Sequence, residues 1–107
     1  MSKQFTDENF QTEVIETSKT KPVLVDFFAS WCGPCKMQAP VIEEVAETIG
    51  EKAAVGKVDT EAAPEISAKY GIMSIPTLKI FKGGNEVENF VGLQSKESLL
   101  AALKKHA

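Results

Sequence analysis

The chain has 107 residues, with 12 basic and 15 acidic side chains and a formal charge of −3. That length reads as one domain, residues 1–107, with a modest core and no need of staples. Without a basic cluster beyond Lys104-Lys105, electrostatic binding of nucleic acid is not expected. Nor does any apolar run approach the ~18 residues of a membrane span. The opening Met1-Ser-Lys-Gln-Phe leads into no signal-type stretch, so the sequence reads as cytoplasmic; a chain trimmed of an organellar leader would read identically.

In chain order, residues 2 to 5 offer a short strand. Thr6-Asp7 then offers an N-cap for a first helix of about ten residues, with Phe10, Val14 and Ile15 as its apolar stripe. Pro22 breaks that helix. Val23-Leu-Val-Asp-Phe-Phe28 is a nearly continuous apolar strand, as expected in a sheet covered on both faces. Val41, Ile42, Val45, Ala46 and Ile49 mark a long helix ended by Gly50, and Pro40 inside it should bend it. Ala53 to Asp59 reads as a strand, and Ala63 to Tyr70 as a short helix stopped by Gly71. Thr77 to Phe81 and Glu86 to Val91 read as an antiparallel hairpin across Lys82-Gly-Gly-Asn85. Ser95 caps a last helix with Glu97 in its first turn, Lys104-Lys105 in its last, and Leu99, Leu100 and Leu103 facing inward. The order β-α-β then β-β-α gives a central mixed sheet with helices on both faces.

Both cysteines fall in Trp31-Cys32-Gly33-Pro34-Cys35, directly after the apolar strand. A strand ending there, with a helix behind it, exposes a thiol at a helix N-terminus, where partial positive charge favours thiolate. Residues three apart on a helical turn share a face, with Cα atoms about 5 Å apart, within disulfide range. The pair can therefore open and close with little backbone movement. A purely structural disulfide competes with this reading, but closing so short a loop stabilises little. Half of a zinc site needs further Cys or His ligands, and His106 is the one candidate. An iron–sulfur cluster needs four cysteines, hence two chains.

The redox reading gives each motif residue a task. Cys32, at the exposed end of the turn, is the attacking thiolate, and Cys35, one turn inward, resolves the mixed disulfide. Gly33 permits close approach of a partner backbone, and Pro34 fixes φ in the first helical turn. Trp31 is either a core aromatic or, beside the thiol, a cover that shapes a docking surface. Asp26 is a carboxylate inside an apolar strand, unless it is a solvated strand-end aspartate. Lys57, by itself, can be a plain surface lysine.

Trp31-Cys-Gly-Pro-Cys-Lys36-Met37, the preceding Val25-Asp-Phe27, Pro40, Lys57-Val-Asp59, Ser74-Ile-Pro-Thr-Leu78 and Phe90-Val-Gly92 resemble the thioredoxin family in order and spacing, over essentially the whole chain. The resemblance implies the thioredoxin fold: an α/β architecture with a central mixed five-stranded sheet flanked by four helices on both faces. It places Asp26 buried beneath Cys35 with Lys57 nearby. Burial raises a carboxyl pKa, which suits a group that takes and returns a proton near neutrality. It also implies a cis Ile75-Pro76 bond set against the cysteines, presenting the Ile75 backbone to an extended substrate peptide by strand addition. Val91, Gly92 and Leu93 would border the same groove. Phe28, where thioredoxins often carry Trp, and Lys79, inside an apolar strand, depart from the pattern and bear on packing rather than chemistry.

Gly33-Pro34 is similar to thioredoxins, whereas glutaredoxins typically carry Pro-Tyr and disulfide isomerases Gly-His. No histidine stabilises the thiolate further, so the pair reads as a reductant. The resemblance implies a monomeric protein-disulfide reductase with no bound cofactor. It would act on disulfide-containing target proteins and be recharged by a thioredoxin reductase, NADPH- or ferredoxin-linked. The rival is an accessory binding module that uses the apolar surface around Trp31 and never cycles its thiols.

Overall fold

A computed structural model describes residues 2–107. Five strands, β1 (Lys3–Phe5), β2 (Val23–Phe28), β3 (Ala54–Asp59), β4 (Thr77–Lys82) and β5 (Asn85–Val91), form one sheet in the order β1-β3-β2-β4-β5. β1 and β2 pair parallel to β3, whereas β4 runs antiparallel to both β2 and β5. The expected mixed sheet is therefore present, with β2 between β3 and β4.

Alternation along the strands sorts side chains to two layers. On one side Leu24, Val55, Leu78 and Ile80 meet Ile42, Val45 and Ile49 of helix α1 (Gly33–Ile49) and Leu99 and Leu103 of helix α3 (Lys96–Lys105). On the other, Val23, Val25, Phe27, Val58 and Phe81 meet Phe10 and Val14 of the N-terminal helical segment, and Ala63 and Ile66 around helix α2 (Pro64–Lys69). Each fully buried Val, Leu, Ile or Phe contributes about 2 kcal/mol of apolar burial. The helix α1 runs unbroken through Pro40.

The N-terminal segment departs from the expected helix. It forms a π-helical stretch at Gln11–Glu16 and a 3₁₀ turn at Thr17–Lys19, so it ends before Pro22 intervenes. The Thr6 hydroxyl accepts from the Asn9 N–H at 3.1 Å, and the Asn9 side chain accepts from the Thr6 N–H at 2.7 Å, a reciprocal box that starts the segment. Asp7, the other half of the expected cap, serves a different helix. Its carboxylate accepts from Ile66 N–H at 2.9 Å and Glu65 N–H at 3.3 Å, in the first turn of α2. Ala63 precedes that turn with no capping side chain of its own, and Asp7 supplies the acceptor across 59 residues.

The hairpin turn is tighter than expected. β4 reaches Lys82 and β5 starts at Asn85, so Gly83 and Gly84 alone make the turn, with φ of 65° and 84°. Two successive positive φ values match a two-residue primed turn, where glycine carries no steric cost. Buried Ser18 locks it. Its carbonyl accepts from Gly83 N–H at 2.7 Å and its hydroxyl from Gly84 N–H at 2.8 Å, while that hydroxyl donates to the Ile15 carbonyl.

Lys79, the polar interruption in β4, is buried on the Phe81 side of the sheet. Its ammonium lies 3.0 Å from Glu86 Oε1 and donates to Asn89 Oδ1 at 3.0 Å, both from β5. A buried ammonium is tolerated when paired and hydrogen-bonded. Glu86→Ala should leave it under-compensated and cost about 2 kcal/mol, whereas Lys79→Met should be near neutral. Denaturant midpoints of the two variants against the parent measure the contrast.

Candidate active site

β2 ends at Phe28, and Ala29 to Trp31 carry the chain to α1, so the first helical turn opens at the sheet's edge over the β2–β4 pair. Cys32 is the N-cap of α1, with extended φ and ψ of −87° and 115°. Its sulfur takes the place of a capping oxygen, accepting from the Cys35 N–H at 3.2 Å. Pro34 falls at the start of the helix, where its missing N–H leaves no acceptor unmet. Cys32 and Cys35 are joined as a disulfide with Cα atoms 5.2 Å apart. The expected difference in exposure is small in this oxidised form: Cys32 is 5% and Cys35 3% exposed. What distinguishes the two sulfurs is their surroundings.

On one side of Cys32 stands the Ile75-Pro76 turn. The peptide bond is cis, and the Ile75 carbonyl oxygen lies 3.8 Å from Cys32 Sγ. Ile75, two residues before β4, packs on Ala29, Cys32 and Cys35. The Pro76 carbonyl accepts from the Gly92 N–H at 2.8 Å, so the end of β5 is fixed beside it. Gly92 has φ of 90°, a conformation other residues adopt with strain. The flanking Val91 and Leu93 are exposed. Gly33 and Pro34 are exposed on the neighbouring helical turn. Half-buried Ile75 thus lies against the sulfur pair, and buried Pro76 ties the exposed Val91–Leu93 edge to it through Gly92.

Trp31 is not a core residue. It is 67% exposed, with its indole N–H donated to Glu61 Oε2 at 2.8 Å. Glu61 in turn sits on an Asp59-capped turn, its N–H bonded to Asp59 Oδ1. Glu61 escaped the sequence reading because nothing local to it hints at a tryptophan thirty residues away.

Behind Cys35, a cavity of about 130 Å³ is lined by Asp26, Phe28, Ala29, Ser30, Cys35, Lys36, Ala39 and Lys57. Asp26 is 1% exposed, and neither carboxylate oxygen has a hydrogen-bond partner among the described residues. It is therefore no solvated strand-end aspartate. Burial pushes its pKa up to about 7, against an opposing pull from the Lys57 charge. Lys57 is the register partner of Asp26 on β3 and points to the same layer. Its ammonium sits 3.9 Å from Glu43 Oε2 and 5.7 Å from the centre of the Phe28 ring. Half-buried Lys57 is thus held at the cavity wall rather than loose on the surface, and it makes no hydrogen bond to Asp26. Glu43 accepts the Ser2 N–H at 2.9 Å and the Ser2 hydroxyl, and these bonds hold its carboxyl below the usual range.

A second polar residue missed by the sequence reading is Gln38, fully buried three residues after Cys35. It occupies the inward stripe of α1 with Cys35, Ile42, Val45 and Ile49. A polar side chain at an apolar-stripe position was the available signal. No cluster of metal-ligating side chains occurs among the described residues, and no helix there is long and apolar enough to cross a membrane.

The sequence profile of the thioredoxin family matches residues 1–105. The chain is 52% identical to a thioredoxin of Alicyclobacillus acidocaldarius over 98 residues, covering 92% of this chain and 90% of that one. It is 50% identical to thioredoxin 1 of Nostoc sp. over 103 residues, 96% and 94% of the two chains. A thioredoxin of Rickettsia felis is 45% identical over 105 residues, 98% of each.

Asp26 fixes a stability test. The folded state holds this proton more tightly than the unfolded chain, whose carboxyl titrates near 3.8. Stability is therefore fully present below that value, falls between it and about 7, and is flat above. The difference corresponds to about 4 kcal/mol at alkaline pH. Asp26→Ala should accordingly unfold at higher denaturant than the parent at pH 8, with the gain shrinking as the pH falls to 4. Urea unfolding across that range measures it, and a variant less stable at pH 8 would contradict the burial argument.

Proposed function

The chain belongs to the thioredoxin family of protein-disulfide reductases, and we propose that Cys32 is its attacking thiolate, Cys35 its resolving thiol and Asp26 the proton carrier between turnovers. The observation that carries this is the disulfide at the N-terminus of α1 with an unpartnered, buried carboxyl on the cavity behind its inner cysteine.

In the reduced protein the Cys32 sulfur occupies the N-cap position, where the Cys35 N–H and the helix end favour negative charge. Its thiolate attacks one sulfur of a substrate disulfide. A Cys32–substrate bond forms, the substrate S–S bond breaks, and the second substrate sulfur leaves and takes a proton. Cys35 then loses its proton to Asp26, whose pKa of about 7 suits it to accept and later release one near neutrality. The cavity is large enough to admit a water molecule that relays this proton. The Cys35 thiolate attacks Cys32, the Cys32–Cys35 bond closes as the Cys32–substrate bond breaks, and the departing substrate sulfur takes a proton from water, so the substrate leaves with two thiols. Two electrons have moved from the dithiol to the substrate. Lys57 tempers the cavity's charge when Asp26 is ionised.

The substrate docks on Trp31, Gly33 and Pro34 on one side, and on Ile75, Pro76, Val91, Gly92 and Leu93 on the other. An extended segment laid along Ile75 finds its backbone groups, with the exposed side chains of Val91 and Leu93 nearby, in the manner of strand addition. Gly33-Pro34 between the cysteines, with no histidine to stabilise the thiolate further, supports the reducing direction. A thioredoxin reductase restores the dithiol. We extend the reading to a monomer that carries electrons in the cytoplasm, with a reductase fed by NADPH or by ferredoxin.

Insulin reduction by a sample recycled with dithiothreitol tests the whole reading. Turbidity should develop with the parent, and its absence would leave a docking module that never cycles its thiols. Cys32→Ser should abolish the reaction. Cys35→Ser should attack and stall as a mixed disulfide visible by mass. In the reduced parent at pH 7, iodoacetamide should modify Cys32 about tenfold or more faster than Cys35. Equal alkylation rates would overturn the assignment of roles.

A further inference from the structure

The Gln38 carboxamide makes two complementary bonds to the backbone of one residue. Its Nε2–H donates to the Gln94 carbonyl at 3.1 Å, and its Oε1 accepts from the Gln94 N–H at 2.8 Å. The bonds span 56 residues and join the second turn of α1 to the segment between β5 and α3. The Gln94 side chain reinforces that segment by donating to the Gly92 carbonyl at 3.3 Å. Gly92 in turn donates to the Pro76 carbonyl. The stretch from Val91 to Gln94 is thus held at two points, by Pro76 on the sheet side and by Gln38 on the helix side.

Nothing in core packing requires a glutamine here. The neighbouring stripe positions of α1 are Cys35 and Ile42, and a buried amide contributes only when both of its polar ends are met. Gln38 meets both, and its partner is a backbone unit of the stretch from Val91 to Gln94. It lines no part of the cavity that holds Asp26 and Cys35.

We propose that Gln38 is a positioning residue that holds the Val91–Leu93 edge in register with the cysteine pair and thereby sets how well protein disulfides dock. The proposal rests on the docking surface assigned above. Gln38 acts through the groove and leaves sulfur chemistry alone. Its loss should therefore separate large substrates, which use the groove, from small disulfides, which do not.

The test compares the parent with Gln38→Met, close in volume but without either bond, and with Gln38→Glu, which keeps the acceptor and loses the amide donor. Each is assayed with insulin and with the small aromatic disulfide 5,5′-dithiobis(2-nitrobenzoate), and its melting is followed by circular dichroism. With Gln38→Met, KM for insulin should rise about fivefold to tenfold, the loss of one or two buried hydrogen bonds, with kcat within about twofold. The rate with the aromatic disulfide should stay within about twofold of the parent, and amide exchange at Gln94 should accelerate. Gln38→Glu, which sets a buried acceptor against the Gln94 carbonyl, should raise KM for insulin at least as far, and it carries the comparison if Gln38→Met does not fold. An insulin KM equal to the parent's in a folded variant would overturn the proposal, as would an equal loss on both substrates. A parent inactive on insulin would overturn the functional reading itself, and this proposal with it.

Discussion

Strand β2 lies between β3 and β4 with every side chain from Val23 to Phe27 inside the protein, and that two-sided burial constrains the rest of the molecule. A strand so placed must have both faces covered, because its side chains alternate between two layers. Helices α1 and α3 cover one layer, and the N-terminal segment with α2 covers the other. Alternation also decides where Asp26 goes. Leu24 faces α1, so Asp26, two residues on, faces α1 as well, and the helix above it begins at the cysteine pair. One strand therefore supplies the core and delivers a carboxyl to the underside of the redox site.

The cysteine pair is held differently from a structural staple. The two cysteines are three positions apart in sequence, so closing the bond removes little entropy from the unfolded chain. Opening it sacrifices correspondingly little stability. In the disulfide the sulfur of Cys32 is anchored at the helix N-terminus by the Cys35 N–H, and a thiolate at that place would gain from the same donor. The scaffold is fixed and the covalent bond is expendable, which is the arrangement a reversible electron carrier needs.

The parts legible from sequence were those governed by local pattern. The run of apolar residues marked β2, the three-residue spacing marked the sulfur pair, and a carboxylate in an apolar strand marked Asp26. The parts that were not legible depend on partners far along the chain. Asp7 reads as a cap for the helix that follows it, yet its acceptor serves Glu65 and Ile66. Ser18 looks like an ordinary helix-end serine until the Gly83-Gly84 turn is seated on it. Lys79 looks like an interruption until Glu86 and Asn89 are set beside it by the hairpin register. Gln38 belongs to the same class. In each case periodicity predicts which layer a residue faces, and only the tertiary structure names the group that satisfies it.

The balance at Asp26 shows what the absence of such a partner does to a buried carboxyl. A hydrogen-bonded ion pair with Lys57 would favour the carboxylate and draw its pKa below the ordinary value. The carboxyl would then have no proton to exchange near neutrality. Instead, the Lys57 ammonium is shared with Glu43 and the Phe28 ring, while Asp26 keeps both oxygens unpaired. Burial then outweighs the remaining pull of Lys57 and sets the value near 7. Glu43 is itself fixed by Ser2, just before β1, so a contact at the sheet's edge helps to hold the partner that Lys57 shares. Elsewhere among the described residues a buried polar group meets its partner: Gln38 with Gln94, Lys79 with Glu86, Ser18 with the turn. The carboxyl left without one lines the same cavity as Cys35, and its desolvation is what lifts its pKa to about 7, as the proposed proton transfer requires.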